Sequence, residues 1–391
     1  MAPVGTLAAG ARVSGRTRWW GAATIQSDLA KDNLHPPSRR TSDLPVVPTP
    51  PCRKLARRRA LAYLIAALRM SRSQPMSDLP KRIHIMEVGP RDGLQIEKTI
   101  LSVDQKLELL EMIQDAGVTE IEVGSFVNPK SVPTMADTGE VFARLKRRPG
   151  ITYRGLWLNA KGLERALDTP NIDIDGRVHI TASEAFVKRN TNRTIEETFA
   201  QLPEWLALYR QGGVRVDCLN LMATFGCNFE GDVPLERVVG LIQRTNEVLE
   251  ANGGGLRQAS LADTMAWANP EQIKRTVGAI RTRWPDLIIR LHLHDTRGLA
   301  MANAYAALEM GVVEFDASIG GLGGCPFAGH KGAAGNICTE DLALLCAETG
   351  VETGIDFEKL AAAARRAEEM VGHPVPGKVM NAGTLARMRR G

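Results

Sequence analysis

The chain has 391 residues, 44% of them hydrophobic, and a formal net charge of +5; this is enough to bury a large core, and it reads as a soluble globular protein. The charge is lopsided: residues 1–75 carry 13 Lys and Arg against three acids, leaving 36 basic and 41 acidic side chains beyond them. So mildly acidic a body removes the electrostatic grounds for a nucleic-acid partner.

Taken in chain order, residues 1–78 are expected to be a disordered basic arm. Stretches such as His35-Pro36-Pro37 and Pro48-Thr49-Pro50-Pro51 cannot sustain regular structure. The arm reads as a targeting peptide, as a basic interaction arm tethering the rest, or as the product of an upstream start codon, since structured sequence begins just after Met76. The apolar run Leu61–Leu68 is too short to span a bilayer, so no membrane partner is expected. The six cysteines form no C-x-x-C pair and no zinc-like spacing, which fits a reducing compartment. The location expected is therefore the cytoplasm, or the mitochondrial matrix if the arm is a transit peptide.

Residues 79–391 are expected to form one domain in which short β-branched runs alternate with helical patterns, the signature of β/α repeats around a parallel sheet. Eight strand candidates follow one another: Ile83–Val88, Thr119–Gly124, Thr152–Leu158, Arg177–Thr181, Arg215–Leu221, Gln258–Ala262, Ile288–His294 and Val313–Ser318. The first helix opens on a capping box at Ser102 and carries Leu107, Leu110 and Ile113 on one face. Eight units over this length fit an α/β (β/α)8 TIM barrel, with a C-terminal helical extension from about residue 356. A doubly wound open sheet is the structural alternative, but no G-x-G-x-x-G follows the first strand.

Barrel active sites lie beyond the C-terminal ends of the strands, and four places there carry chemistry. Arg91-Asp92 follows strand 1 in a Gly/Pro-rich turn: Asp is a hard oxygen ligand, and Arg can stabilise developing negative charge. A surface ion pair is the plain alternative. His292 and His294 alternate at the end of strand 7, so both face the lumen and can hold one metal ion; two packed core histidines would give the same pattern. Cys325 sits in the glycine-rich run after strand 8, where a thiol on a mobile lid can donate a proton; it is otherwise a small residue tolerated in a loop. Asn336 precedes the next helix, where its amide oxygen could complete a metal site or cap the helix.

Together, Glu87–Gln95, Ile121–Val127, His292–Thr296 and Gly323–Pro326 resemble the hydroxymethylglutaryl-CoA lyases, metallolyases built on TIM barrels. The resemblance runs from about residue 80 to 370 and rests on the order and spacing of the motifs. It implies metal ligation by Asp92, His292, His294 and Asn336, with Mg or Mn as the divalent metal. It also implies catalytic roles for Arg91, Cys325, Glu122 and Asp263, and substrate contacts from Arg91, Gln95 and Lys98. The activity implied is retro-aldol cleavage of 3-hydroxy-3-methylglutaryl-CoA, a step of leucine catabolism and ketone-body formation, by a homodimer acting on an acyl-CoA.

Three departures bear on the substrate. Arg297 stands where the family has a Tyr, the loop between Cys325 and Asn336 is two residues longer, and Asp263–Trp267 lacks a glycine-rich turn. An altered acyl group, such as citramalyl-CoA or a longer branched hydroxyglutaryl-CoA, is the alternative reading. A Claisen-type synthase shares the Arg-Asp and His-x-His themes, but only about 35 residues remain beyond residue 355, too few for a regulatory region.

Overall fold

The computed structural model describes residues 78–324, 335–385 and 389. The expectations for the N-terminal arm and for Cys325 lie outside the described residues.

Eight strands carry the sheet: β1 (His84–Glu87), β2 (Glu120–Ser125), β3 (Thr152–Leu156), β4 (Gly176–Thr181), β5 (Val216–Met222), β6 (Gln258–Ala262), β7 (Ile288–His292) and β8 (Glu314–Ala317). Their hydrogen-bonded order is β3-β2-β1-β8-β7-β6-β5-β4, all parallel, so the chain runs round a ring in sequence order. This is a TIM-barrel-like fold. Helices between the strands bury one face against them; the first, Val103–Asp115, is held by the Ser102 capping box and buries Leu109, Leu110 and Ile113. Leu107, expected on the same face, is only partly buried. The helix Phe357–Val371 packs back on this first helix. A two-residue hairpin, Gly226–Cys227 with Gly231–Asp232, was not foreseen from the sequence.

Among the described residues, β3 and β4 are the one neighbouring pair in the ring without a ladder. Side chains bridge them instead. Trp157 Nε1 donates to the Tyr209 hydroxyl at 2.6 Å, and that hydroxyl donates to the Arg177 carbonyl at 3.0 Å. Arg154 on β3 lies 3.6 Å from Asp175, just before β4.

The lower lumen is filled by charge rather than hydrocarbon. Arg290 on β7 is 4% exposed and donates to Glu120 at 2.7 Å and to Glu314 at 2.6 Å. Arg154 also donates to Glu120. His84, Glu120 and Glu314 bring three donor atoms together, but Arg290 already supplies the positive charge that a metal ion would bring there.

Candidate active site

At the opposite, C-terminal end of the strands, a cleft opens among Arg91, Asp92, Glu122, Arg177, His292 and Asp316. The chain reaches it from β1 through one π-helical turn, Gly89–Gly93. In this turn the Val88 carbonyl accepts from the amides of Arg91, Asp92 and Gly93, which turns two consecutive ionisable side chains into the cleft. Two glutamates fix the turn from behind. Glu87 accepts from the amides of Gly89 and Ile319 and from the Thr339 hydroxyl, while Glu340 accepts from Gly320 N. Burial raises the Glu87 carboxyl to about 8 and the Glu340 carboxyl to about 7.

Arg91 links two acids, donating to Glu122 at 2.5 Å and also to Asp92. Burial opposes its charge, but these carboxylates keep it firmly protonated. For Asp92, too, burial disfavours the charge; Arg91, His292 and His294 outweigh it and hold the carboxyl well below the usual range. Glu122 goes the other way, burial raising its carboxyl despite the bond from Arg91.

His292 and His294 face the same side, as strand alternation predicts, with their Nε2 atoms 3.1 Å apart. Asp92 Oδ2 lies 4.0 Å from His292 Nε2. His294 is placed by a pairing beyond the strand: Asp295 N donates to Gly335 O, and Ile337 N to Leu293 O, setting His294 across from Asn336. Gly335 is required there, since a Cβ would lie 2.1 Å from the Gly323 carbonyl.

Asn336 is not a helix cap; the next helix is capped two residues later, at Cys338. Its Nδ2 donates to Asp92 Oδ2 at 2.8 Å, and its Oδ1 is buried with no hydrogen-bond partner among the described residues. The oxygen expected to bind a metal is thus at the cluster, although the nitrogen is the atom that faces Asp92.

These residues fit a divalent cation. Asp92, His292 and His294 present one carboxylate oxygen and two ring nitrogens within 4.8 Å of one another. His292 Nδ1 lies 3.2 Å from Asp316 Oδ2, so a proton held there leaves the Nε2 lone pair free for the cluster. Burial opposes charge on His292, but the bond to Asp316 raises its pKa. Burial, and then His292, push His294 down to about 3 and keep it neutral. An uncharged imidazole is the form that binds a metal.

The remaining expected residues divide. Gln95 lines the cleft, and its Oε1 is buried with no partner among the described residues; Lys98 is exposed and is not part of the cleft wall. Asp263 is buried behind the wall, its Oδ1 accepting from the amides of Trp267 and Ala268, and burial raises its carboxyl to about 6. Arg297 donates to the carbonyls of Met265 and Ala266. Its guanidinium is thus engaged by the turn after β6, where Ala266 takes φ +55 in place of a glycine. Asp316, Arg177 and His179 were not singled out from the sequence. Arg177-Val178-His179 has the same alternation as His292-Leu293-His294, and that signal could have found Arg177 and His179.

A family model described as HMGL-like matches residues 82–366. Hydroxymethylglutaryl-CoA lyase YngG of Bacillus subtilis is 38% identical over 299 residues, covering 76% of this chain and 96% of that protein. The 3-hydroxy-3-isohexenylglutaryl-CoA/hydroxymethylglutaryl-CoA lyase of Pseudomonas aeruginosa is 39% identical, covering 75% and 95%. A solved HMG-CoA lyase from Acinetobacter baumannii, in complex with coenzyme A and 3-methylmalate, superposes with a TM-score of 0.70 at 38% identity, covering 78% and 96%. With the match spanning most of the barrel and of each relative, the chain belongs to the HMGL-like family.

Proposed function

We propose that this protein cleaves 3-hydroxy-3-methylglutaryl-CoA to acetyl-CoA and acetoacetate, a carbon–carbon lyase reaction of the retro-aldol type. The observation that carries the reading is the meeting of Asp92, His292 and His294 beside Arg91 at the C-terminal end of the barrel. The reaction removes the proton of the tertiary hydroxyl, breaks the C2–C3 bond and leaves its electron pair on the thioester as an enolate, which takes up a proton. A divalent cation, Mg or Mn, held by Asp92, His292, His294 and Asn336, supplies Lewis acidity to the hydroxyl when bound.

The side chains do the rest. Arg91, held by Glu122, stabilises the enolate oxygen; a donor of this kind typically contributes about 3 kcal/mol. Glu122 and Asp263 are the carboxylates assigned to proton transfer, and Asp263, at about 6, titrates close to neutral pH. Cys325 is assigned as the donor that quenches the enolate. Gln95 is assigned to the thioester, and Lys98, outside the cleft, to the CoA portion. A homodimer is proposed, and the cytoplasm as its place of work. No helix among the described residues is long and apolar enough to cross a membrane.

The test is mass spectrometry of the products formed from 3-hydroxy-3-methylglutaryl-CoA, with Mg or Mn added and with chelator. Acetyl-CoA and acetoacetate are expected with metal only. Asp92→Ala is expected to lose at least ~10³-fold in kcat, removing a ligand of the catalytic ion, with an unchanged circular dichroism spectrum. Turnover of a folded Asp92→Ala at the wild-type rate would sink the assignment.

A further inference from the structure

We propose that Arg297 is a positioning residue for the cleavage step: its guanidinium locks the turn after β6 and so fixes where Asp263 stands relative to the two histidines. The inference deepens the proposed function, and it rests on the assignment of Asp263 to proton transfer.

The turn from Asp263 to Ala268 is built around one carboxylate. Asp263 Oδ1 accepts from the amides of Trp267 at 2.7 Å and Ala268 at 3.1 Å, and the Asp263 carbonyl accepts from Ala266 N. With Oδ1 holding the turn, Oδ2 is the oxygen left to take a proton; it is buried and has no hydrogen-bond partner among the described residues. Ala262 and Thr264, on either side of Asp263, line the cleft. Asp263 N donates to His292 O at 2.8 Å, so the turn is set in register with the strand that carries the histidines.

Closing the turn in this way forces Ala266 to φ +55, a left-handed conformation that a residue with a Cβ disfavours. The strained residue is the one that Arg297 reaches. From the turn after β7, three residues beyond His294, Arg297 Nη1 donates to the carbonyls of Met265 at 2.6 Å and Ala266 at 3.1 Å. Both residues are buried, so losing the donor leaves carbonyls that water reaches poorly. The β7 turn is itself fixed, Gly298 N donating to Asp295 O and Ala300 N to Asp295 Oδ1. On the other side of the β6 turn, Thr264 Oγ1 accepts from Ala223 N and Trp267 Nε1 donates to Asn228 Oδ1. Each side of the turn thus has its own hold, and that of Arg297 falls on the strained residue and spans the two strand ends that carry Asp263 and His292.

The experiment measures kcat and KM of the full-length, metal-loaded enzyme on 3-hydroxy-3-methylglutaryl-CoA, with Tm as the control for folding. Arg297→Met is expected to lose ~10- to 100-fold in kcat, the scale of a misplaced reacting group, with KM and Tm close to wild type. Arg297→Lys, which keeps a charged donor, is expected to fall between the two. Adding Ala266→Gly to Arg297→Met removes the left-handed alanine and is expected to restore ~5-fold or more of the loss. In an Asp263→Asn background, Arg297→Met is expected to cost no more than ~2-fold. Wild-type kcat in Arg297→Met overturns the proposal and leaves the cleft as read. A raised KM with unchanged kcat also overturns it, since the guanidinium would then serve the CoA phosphates. So does a loss that Ala266→Gly leaves untouched, or one that is as large without the Asp263 carboxylate as with it. Asp263→Asn at the wild-type rate overturns the assignment of Asp263 itself, and a wild type that cleaves nothing overturns the reading of the cleft.

Discussion

Asp316 lines the cleft and reaches the cluster through His292. Its carboxylate meets His292 Nδ1 at 3.2 Å, which sets the ring's direction and frees Nε2. Partners of this kind typically change metal affinity by about 10- to 100-fold. Asp316→Asn is therefore expected to weaken Mn binding by that factor, read by calorimetric titration, while the fold melts at its normal temperature; unchanged affinity would remove Asp316 from the site. Residue-level legibility was uneven for physical reasons. Arg91, Asp92, His292 and His294 stood out because polar residues interrupt or end apolar strands at the catalytic end. Asp316 was hidden inside Glu314–Ala317, a strand already counted as apolar. Asp263, assigned to proton transfer, is fixed by two backbone amides on its Oδ1, while its buried Oδ2 has no hydrogen-bond partner among the described residues. Sequence spacing places such a residue near a site but does not say which way its side chain turns.

At the scale of elements, the eight strands were legible because each is a short β-branched or apolar run set off by turns, and the structure moves their ends by only a residue or two. The β3/β4 seam was not legible, since no local pattern records a missing ladder. Nor was the anchoring of the turn at Gly89–Gly93, which depends on Glu87, Ile319 and Thr339 meeting from opposite ends of the chain. That anchor makes stability depend on pH. Glu87 titrates at about 8 when folded against an ordinary 4.5, so the native state favours its protonated form. Its contribution is complete below about 4.5 and is lost as pH rises through 8. Glu340, at about 7, acts in the same direction. The Tm of the wild type is expected to fall between pH 6 and 9. Glu87→Gln, which mimics the protonated acid and can still accept from Gly89 and Ile319, should flatten that fall and melt a few degrees higher at pH 9. An identical pH slope in the variant would show that Glu87 is not the group responsible.

For the whole molecule, the floor of the barrel is an ion network. Arg290 joins Glu120 from β2 and Glu314 from β8, crossing a lumen into which these two strands turn acids. Removing one member of such a buried set is costly because the others stay charged without a partner. Arg290→Met is expected to lose about 3–5 kcal/mol in urea unfolding. Adding Glu120→Gln should recover part of that loss; no recovery would mean that packing, not charge, sets the cost. None of this was read from the sequence, where Arg290 and Glu120 looked like ordinary strand charges and only closure of the ring brings them together. The same closure governs the cleft. Asn336 and Asp92, hydrogen-bonded to each other, are 244 positions apart, and the two histidines lie between them in the chain. During synthesis, then, a ribosome must have released nearly the entire barrel before the four side chains can meet. Assembly of this cluster is a late event in the birth of this protein, and a chain interrupted before Asn336 would leave the ribosome without the full set.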